Sequence, residues 1–346
     1  MLRLGGRGGV DTPFGTRIGS GLDARLVADL AQLTPESLVT PNDRFFIRTS
    51  YPDLIDPTQP WRITIGGLAG APVALALPDL QRRMSPMGVH LIECAGNANP
   101  NDFGLMSAAT WSGVRLTDVL TDVERRPAHR RLLVSGADAH SRASQRSSPG
   151  ASWIFTLDEL SASGAFLALE MNGERLPRDQ GFPVRLVVPG WYGCASIKWV
   201  NEIRFVSDDE PATPHMLEFA ARTHQREAPA LARDFAPALV DAAAMPIRIE
   251  RWRIADGSLH RVVGLAWGGD RPIDKLLLRI TPGPAAQAVE VCPPRATSTT
   301  WGLWTCEWRP PAPGRYEFVV RAADASVRTR RLDLYYYARS VWIEQV

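Results

Sequence analysis

Cys94 stands at the end of a strand-like run, LIECAGN, where the chain enters a turn of alanine, glycine and asparagine. A thiol at the end of a strand can face a cavity, and its thiolate form is a soft ligand suited to a transition metal. A lone cysteine is more often a small buried hydrophobic residue. The motifs around Cys94 therefore have to decide between a metal ligand and a core residue.

Three basic side chains could hold an anion near such a thiol. Arg48 follows an aromatic pair and precedes small hydroxyl residues in FFIRTSY, whereas Arg185 and Lys198 lie in the Gly-, Pro- and aromatic-rich stretch 173–200. Lys198 is one of only two lysines among 39 basic residues, which makes an incidental surface lysine less expected. Guanidinium and ammonium groups bind phosphate through charge-assisted hydrogen bonds. These residues predict an anion site, with a solvated strand end as the alternative for Arg48.

The elements that must position these residues alternate short strand-like runs with turns and helical pieces, which predicts a mixed α+β domain over residues 38–206. Acidic first turns and helical spacing predict two short helices, at LTDVLTDV (116–123) and TLDELSASG (156–164). The predicted strands are WRITIGGL (61–68), VHLIECAG (89–96), RRLLVSG (130–136), GAFLALEMNG (164–173) and PVRLVVPGW (183–191).

The regions on either side of this domain differ from it in composition. Residues 1–37 read as a loose Gly- and Arg-rich arm followed by a short helix from Leu22 to Leu33, and residues 207–245 as an Ala- and Pro-rich crossing segment with irregular helices. Seven strand-like runs follow at sandwich spacing, which predicts an all-β immunoglobulin-like domain over 246–346. The runs are IRIERWRI, LHRVVGLAW, DKLLLRIT, AVEVC, WGLWTCEW, RYEFVVRA and RRLDLYYY.

Composition and charge exclude several classes of protein. A net charge of +2 over 346 residues gives no field that would drive binding to nucleic acid or to an anionic membrane. The four cysteines lack CxxC spacing, so no zinc, iron–sulfur or attached haem site is indicated. Cys292 and Cys306 are too close in sequence for an immunoglobulin disulfide and are expected to be buried thiols on neighbouring strands. Without a signal peptide or an apolar run that could span a membrane, a cytoplasmic protein is expected, and an upstream targeting segment stays an open alternative.

From about Leu38 to the C-terminus, the chain resembles the sulfite oxidase family of molybdenum enzymes. The resemblance rests on seven motifs that occur in the family's order and with similar spacing. They are FFIR, ECAGN, TWSGVRLTDVL, SGAD, LALEMNGERLP, GFPVRLVVPGWYG and SIKW. Each motif alone is weak, but seven in order reverse the interpretation of Cys94 as a core residue.

The resemblance implies that Cys94 is the protein's ligand to molybdenum, beside one molybdopterin. Arg48 matches an arginine that lines the substrate pocket and contacts the cofactor, and Trp111 matches an aromatic residue of that pocket. Cys194 is expected to be a buried thiol near the pterin and not a second ligand. The other positions that match cofactor contacts are Thr49, Ser50, Tyr51, Asp138, Gln180, Arg185, Ser196, Ile197 and Lys198.

Three departures from the family's pattern bear on the substrate and the pterin. Where sulfite oxidases have arginines after CAGN, this chain has Ala98, Asn99 and Pro100. Gln180 replaces the histidine of a DHG triplet, and the histidine expected after FFIR is replaced within residues 49–51. A dianion such as sulfite favours several converging cations. The loss of arginine after CAGN therefore weakens the prediction of sulfite as substrate, while Gln180 can still donate a hydrogen bond to the pterin.

The implied activity is oxygen-atom transfer at molybdenum, with sulfite oxidation as the family's default. The first alternative is a reductase of an S- or N-oxide that uses the same cofactor, and the second is a non-catalytic binding protein on the same scaffold. Neither haem nor flavin is expected, so electrons would pass to or from a separate partner, which the sequence does not identify. The resemblance also implies a homodimer formed through the C-terminal domain.

Overall fold

The computed structural model describes residues 1–5, 13–56, 58–67, 71–97, 103–121, 123, 131–145, 147–255, 257–283, 285–327 and 338–344. In chain order the strands are β1 (Leu2–Arg3), β2 (Arg62–Gly67), β3 (Val73–Ala76), β4 (Ser85–Glu93), β5 (Met106–Arg115), β6 (Arg131–Gly136), β7 (Ser152–Thr156), β8 (Phe166–Met171), β9 (Glu174–Arg175), β10 (Arg185–Val187), β11 (Val200–Val206), β12 (Ala243–Ile254), β13 (Gly257–Trp267), β14 (Lys275–Thr281), β15 (Gln287–Glu290), β16 (Trp301–Trp308), β17 (Gly314–Ala322) and β18 (Ala338–Ile343). The helices are α1 (Leu77–Arg83), α2 (Leu116–Val119), α3 (Leu157–Ser163) and α4 (Pro214–Phe219).

Two five-stranded sheets form the first half of the molecule. One has the order β10-β8-β5-β4, with β9 paired to β8, and the other has the order β3-β2-β11-β6-β7. The pairing of β2 with β11 is parallel, and the other pairings in these two sheets are antiparallel. The predicted mixed α+β architecture is confirmed, and each strand predicted between residues 61 and 191 is present.

The helices are short, and local sequence signals set their ends. Thr156 caps α3 by accepting a hydrogen bond from Glu159 N at 3.0 Å, while the Glu159 carboxylate accepts from Thr156 N at 2.7 Å. This reciprocal box satisfies two backbone donors at the helix start. Gly164 ends α3 with φ +65°, a left-handed conformation that favours glycine. None of the helices in the described ranges has both the length and the apolar character needed to span a membrane.

The second half of the molecule consists of two four-stranded antiparallel sheets, β1-β12-β13-β16 and β15-β14-β17-β18. Buried side chains from both sheets, including Ile249, Leu278, Trp304 and Phe318, share one core. We call this part the two-sheet unit. Alternating inward-facing residues on two packed sheets are the pattern that buries such a core.

The two-sheet unit also packs against the first half of the molecule. Leu265 and Trp267 of β13 and Trp301 of β16 belong to the large core that contains residues of both five-stranded sheets. At this boundary, Trp267 Nε1 donates a 2.9 Å hydrogen bond to Oε2 of Glu93, the residue before Cys94. The sheet that carries β13 therefore supports the thiol turn from behind.

Several sequence expectations differ from the structure. The predicted helix from Leu22 to Leu33 is wrong, because the chain there makes only two single 3₁₀ turns, at Gly21–Asp23 and Leu30–Gln32. Outside these turns the segment is not helical, and its apolar side chains are buried in the core. Tertiary packing therefore overrides the helical spacing of the sequence. The start of the supposed loose arm is ordered, since Leu2 and Arg3 pair with β12.

The remaining differences lie in the two-sheet unit. Cys292 is exposed and Cys306 is partly buried, so the expectation of two buried thiols is wrong, although both are free as expected. The expected run RRLDLYYY (330–337) lies outside the described residues, as does most of the N-terminal GGRGG run. Strand β18 follows at 338, and the other six expected runs are strands β12 to β17.

Candidate active site

A cavity opens where the end of β4, the segment after β10 and helix α4 converge, and its volume is about 780 Å³ when the space open to solvent is included. Among the predicted site residues, Arg48, Thr49, Cys94 and Asp138 line one part of the cavity. Gln180, Arg185, Ser196, Ile197 and Lys198 line another part of it. Residues from five separated motifs are thus brought together.

Cys94 is 5% exposed and lies directly after β4, in a turn that directs the thiol to the cavity. Its backbone N donates to Leu105 O at 2.9 Å, and its carbonyl accepts from Asn97 N at 2.9 Å. The backbone N of Gly96 points at Cys94 Sγ from 3.3 Å. The thiolate is the form of a cysteine that binds a metal.

Buried polar side chains fix this thiol turn from behind. Glu93 is fully buried and accepts hydrogen bonds from Asn97 Nδ2 at 3.4 Å and from Trp267 Nε1 at 2.9 Å. Asn97 Oδ1 in turn accepts from Leu105 N at 3.1 Å. The turn that carries Cys94 is therefore positioned by Leu105, just before β5, and by Trp267 of the two-sheet unit.

Arg185 is a buried cation, 3% exposed, at the start of β10. Its Nη1 donates to Gln180 O at 3.1 Å and its Nη2 to Ser196 O at 3.4 Å, but its Nε has no hydrogen-bond partner among the described residues. Burial lowers the pKa of Arg185 to about 9. In the described ranges this guanidinium forms no ion pair with a carboxylate. Its free Nε–H can therefore donate a hydrogen bond to a bound anion.

Lys198 approaches the same part of the cavity from the segment before β11. Its Nζ donates to Thr49 O at 2.6 Å and to Asp179 O at 2.9 Å. Burial lowers the pKa of Lys198 to about 7, and the nearby charge of Arg185 adds to this effect. Gly181 has φ +106°, and a Cβ there would lie 2.9 Å from the Cβ of Arg185. Only glycine lets the two basic residues approach each other in this way.

Arg48 forms a third cationic group of the cavity. Its Nη1 donates to Leu22 O at 3.0 Å and its Nη2 to Ser147 Oγ at 2.6 Å. A guanidinium has five N–H donors, so three remain for a ligand. Two carboxylates, those of Asp138 and Glu218, also line the cavity. In the described part of the chain, neither forms an ion pair with Arg48, Arg185 or Lys198.

The smaller predicted residues differ in how they face the cavity. Asp138 is buried, with Oδ1 2.9 Å from His140 Nε2 and Oδ2 accepting from Ala151 N at 3.3 Å. Ser196 Oγ accepts from Val188 N at 3.1 Å, which fixes the segment that carries Ile197. Gln180 Nε2 donates to Phe46 O at 3.0 Å. Gln180 thus connects the FFIR segment to Arg185. Its side-chain amide nitrogen already donates a hydrogen bond within the protein.

Three predicted residues do not line the cavity. Ser50 is buried behind it and accepts from Gly21 N at 2.8 Å, and Tyr51 N donates to Asp179 Oδ1 at 2.7 Å. Trp111 is fully buried, donates to His90 O at 3.2 Å, and lies beneath the guanidinium of Arg185 with 5.3 Å between Cζ and the ring centroid. Trp111 thus supports a cationic wall residue and does not form the expected pocket wall itself.

Helix α4 contributes cavity residues that the sequence reasoning missed. His215, Glu218 and Phe219 are spaced to share one helical face, and all three line the cavity. Burial lowers the pKa of His215, whose Nε2 lies 3.0 Å from Cys194 O. Oε1 of Glu218 is buried without a hydrogen-bond partner among the described residues. Their i, i+3, i+4 spacing could have indicated a shared helical face. The sequence analysis instead predicts a crossing segment over residues 207–245, because the composition there is rich in Ala and Pro.

Two more residues, Cys194 and Arg222, lie near the thiol turn, and Cys194 is a buried thiol as expected. Cys194 lines the cavity, and burial raises the pKa of its thiol well above the ordinary value, with Cys94 adding to the rise. A methyl group at Gly96 would lie 3.2 Å from Arg222 Nη1 and 3.6 Å from Cys94 Sγ. An arginine from beyond α4 thus flanks the thiol turn. Ala98, Asn99 and Pro100, where the family's arginines would stand, lie outside the described residues.

Comparison with known proteins agrees with these features. The model of the oxidoreductase molybdopterin binding domain family matches residues 49–214. Sulfite oxidase of Gallus gallus is 28% identical over 322 residues, which cover 86% of this chain and 69% of that protein. A nitrate reductase [NADPH] of Mycosarcoma maydis is 29% identical over 224 residues, which cover 56% of this chain and 22% of that protein.

A solved structure shares the overall fold. The sulfane dehydrogenase SoxCD from Paracoccus pantotrophus matches with a TM-score of 0.70 and 20% identity, covering 94% of this chain and 86% of that chain. The chain spans only 49% to 58% of the length of other sulfite oxidases that it matches. The segment matched by the family model, residues 49–214, contains Cys94 and Arg185, and the similarity to sulfite oxidases and to SoxCD continues beyond it.

Proposed function

Because this chain belongs to the sulfite oxidase-type family of molybdopterin-dependent oxidoreductases, we propose that its cavity binds one molybdenum–molybdopterin group and transfers an oxygen atom to or from a small substrate. Oxidation of sulfite to sulfate is the first activity to test. The observation that carries the proposal is the thiol of Cys94 in one cavity with Arg48, Arg185 and Lys198, none of them ion-paired in the described ranges.

The cavity's residues fit this group. A buried arginine whose Nε lacks a partner leaves a strong donor unsatisfied, and such donors are costly unless a ligand accepts from them. Arg185 and Lys198 would hold the phosphate of the pterin, since the two cations approach each other across Gly181. Cys94 would supply the thiolate, a soft ligand suited to a metal of this kind.

Each residue has a defined task in the proposed reaction. When bound, the molybdenum–molybdopterin group supplies two-electron oxygen-atom transfer, and the protein supplies binding, orientation and electrostatics. Arg48 would hold the substrate's oxygen atoms with the three N–H donors left after its bonds to Leu22 and Ser147. The apolar side chains of Phe46, Ile92 and Phe219 would limit water around the substrate.

In the sulfite direction, the atoms and charges balance with water as the oxygen source. Sulfite and water give sulfate, two protons and two electrons, and the electrons leave one at a time to a separate acceptor. The reverse type of reaction, reduction of an S- or N-oxide, consumes two protons and two electrons from a separate donor and releases water. This second candidate is supported by the carboxylate of Glu218 and the imidazole of His215 in the cavity, since a carboxylate disfavours a dianionic substrate.

The test begins with metal analysis. Protein made in a host that produces the cofactor is expected to contain molybdenum and pterin in about one-to-one ratio with the chain, and Cys94→Ser is expected to lose the metal. Cys292→Ser, which alters an exposed thiol of the two-sheet unit, is the matched control and should retain it. Unaltered protein that lacks both molybdenum and pterin would favour a non-catalytic binding protein and contradict the proposal.

Two assays then separate the candidate directions. Sulfite is offered with ferricyanide as a one-electron acceptor, and a set of sulfoxides and N-oxides is offered with a reduced viologen dye. Sulfite turnover that falls in Arg48→Gln supports the oxidase, whereas turnover of the oxides alone supports the reductase. Molybdenum retained in Cys194→Ser would support its assignment as a buried thiol and not a second ligand.

For the two-sheet unit we propose an immunoglobulin-like domain that forms a homodimer. Tyr316 supports this fold, because its hydroxyl donates to Ala312 O at 2.7 Å at the start of a strand, the arrangement of a tyrosine corner. Light scattering at two concentrations tests the dimer. A mass of one chain, 38.0 kDa, at micromolar concentration would contradict it.

A further inference from the structure

Helix α4 carries a carboxylate, that of Glu218, to which the chemistry proposed above gives no bonding partner. Thr213 caps the helix by accepting from Met216 N at 3.1 Å, and Met216 is fully buried in the core, which fixes the helix in place. Glu218 Oε2 accepts from Ser148 N at 2.9 Å. Its other oxygen, Oε1, is buried at the cavity and accepts no hydrogen bond in the described part of the chain. A carboxylate oxygen in this setting is an acceptor for a ligand's donor.

Glu218 differs in this respect from the other carboxylate of the cavity. Both oxygens of Asp138 have partners, His140 Nε2 for one and Ala151 N for the other. Asp138 is therefore satisfied by the protein itself. Glu218 alone among the described lining carboxylates offers an unused oxygen to whatever enters the cavity.

A cation stands close to this carboxylate through a shared anchor. Arg48 Nη2 donates to Ser147 Oγ at 2.6 Å, and the next residue, Ser148, donates its backbone N to Glu218. Consecutive Cα atoms are only about 3.8 Å apart, so the anchor keeps the guanidinium and the carboxylate within reach of one small molecule. The pKa of His215 is lowered chiefly by burial, while Glu218 raises it and Arg48 lowers it, so both charges act on the same ring.

We propose that Arg48 and Glu218 select a zwitterionic substrate, one that presents an anionic sulfur–oxygen group to Arg48 and an ammonium group to Glu218. This inference rests on the proposed function, because it names the substrate class of the same cavity. Sulfite itself satisfies Arg48 but leaves Glu218 without a partner and facing a dianion. An amino-bearing sulfur oxyanion satisfies both groups at once.

The test measures binding of unreactive sulfonates, so that it does not depend on the direction of the reaction. Calorimetric titration of the cofactor-loaded protein compares 2-aminoethanesulfonate with propane-1-sulfonate, which has the same length without the ammonium, and with sulfate. We expect the amino compound to bind about 10- to 100-fold more tightly than either, the worth of one charge-assisted hydrogen bond. Glu218→Gln should remove that preference, while Arg48→Gln should weaken all three sulfur oxyanions.

The controls separate this inference from the proposed function. Glu227→Gln, which removes an exposed carboxylate outside the cavity, should leave the preference intact. Molybdenum and pterin are measured in every preparation. If they are absent from the unaltered protein, the proposed function fails. If they are present and sulfate binds as tightly as 2-aminoethanesulfonate, only the zwitterion inference fails. Loss of pterin in Glu218→Gln would make Glu218 a cofactor ligand and would also overturn the inference.

Discussion

Two of the buried arginines, one in each half of the molecule, have opposite surroundings. Arg295 of the two-sheet unit is 8% exposed, and its Nε donates to Asp274 Oδ1 at 2.9 Å. Its Nη1 and Nη2 donate to the carbonyls of Thr300 and Ile273 at 3.4 and 3.1 Å. Arg185 of the cavity is 3% exposed, has no carboxylate partner in the described ranges, and leaves its Nε unused.

The difference shows what each buried charge is for. A buried charge without a counter-ion destabilises a fold, whereas one with a carboxylate and several acceptors is compensated. Arg295 joins Asp274 to the backbone of the loops before β14 and β16, so it serves stability. Arg185 carries an uncompensated cost in the protein alone, and a bound anion would remove that cost.

Replacement of Arg185 tests this contrast most strongly. Arg185→Gln is expected to weaken cofactor retention by about 100-fold or more, because at least one charge-assisted hydrogen bond and a buried positive charge are lost. The free energy of unfolding of the cofactor-free protein should stay the same or rise, since an unpaired buried charge is removed. Pterin and molybdenum content after dialysis, together with urea unfolding, measure the two effects. Full cofactor content in Arg185→Gln would contradict the assignment.

The corresponding change in the two-sheet unit should act in the other direction. Arg295→Gln is expected to lower the free energy of unfolding by about 2–3 kcal/mol, because Asp274 would lose its partner in a partly buried position. Cofactor content per folded chain should not change. Urea unfolding followed by tryptophan fluorescence measures the first effect. If Arg295→Gln lost cofactor while its free energy of unfolding stayed the same, Arg295 would act on cofactor binding as Arg185 is expected to, and the contrast would fail.

The sequence predicted the cavity's basic side well and its α4 side poorly. Arg48, Arg185, Lys198 and Cys94 lie in motifs whose residue types already indicate their chemistry, and the structure brings them to one cavity. Glu218 lies in a stretch rich in alanine and proline, where composition indicates only a connection. A carboxylate is usually a solvated surface group. Its burial depends on how α4 packs, which local sequence does not determine.

The fold shows the same division between local and long-range information. The box of Thr156 and Glu159 and the terminal Gly164 predict α3 because those signals act within one helix. The segment from Leu22 to Leu33 has helical spacing, yet its apolar residues are used as an extended lining of the core. Trp111 matches a pocket position in sequence but lies beneath Arg185, a difference set by packing between strands and not by residue type.

The pH dependence of anion binding sharpens the contrast on the cavity side. Burial lowers the pKa of Lys198 to about 7, so its charge is present below pH 7 and lost above it in the cofactor-free protein. Sulfate, which does not titrate in this range, is expected to bind about tenfold more weakly at pH 8.5 than at pH 6. Lys198→Arg should abolish this dependence because a guanidinium stays charged. An unaltered pH profile in Lys198→Arg would assign the effect to another group.

Stability should change with pH in the opposite sense to binding. Between pH 7 and the ordinary lysine value of 10.5, the unfolded chain holds a proton on Lys198 that the folded protein has lost. The unfolded state then binds more protons, so this residue's contribution makes the folded cofactor-free protein more stable as pH rises through that window. Below pH 7 both states are protonated and the contribution is constant. Lys198→Met should remove the slope measured by urea unfolding between pH 7 and pH 9, below the lowered pKa of Arg185.

The smallest expected effect concerns Tyr316, which is 2% exposed in the core of the two-sheet unit. Tyr316→Phe removes the hydroxyl that donates to Ala312 O and should lower the free energy of unfolding by about 1 kcal/mol. Cofactor content should be unaffected if this unit serves stability alone. The unit does reach the thiol turn through the hydrogen bond from Trp267 to Glu93. A fall in molybdenum content in Tyr316→Phe would mean that this contact transmits changes in the two-sheet unit to Cys94, and the two halves would then not be separable.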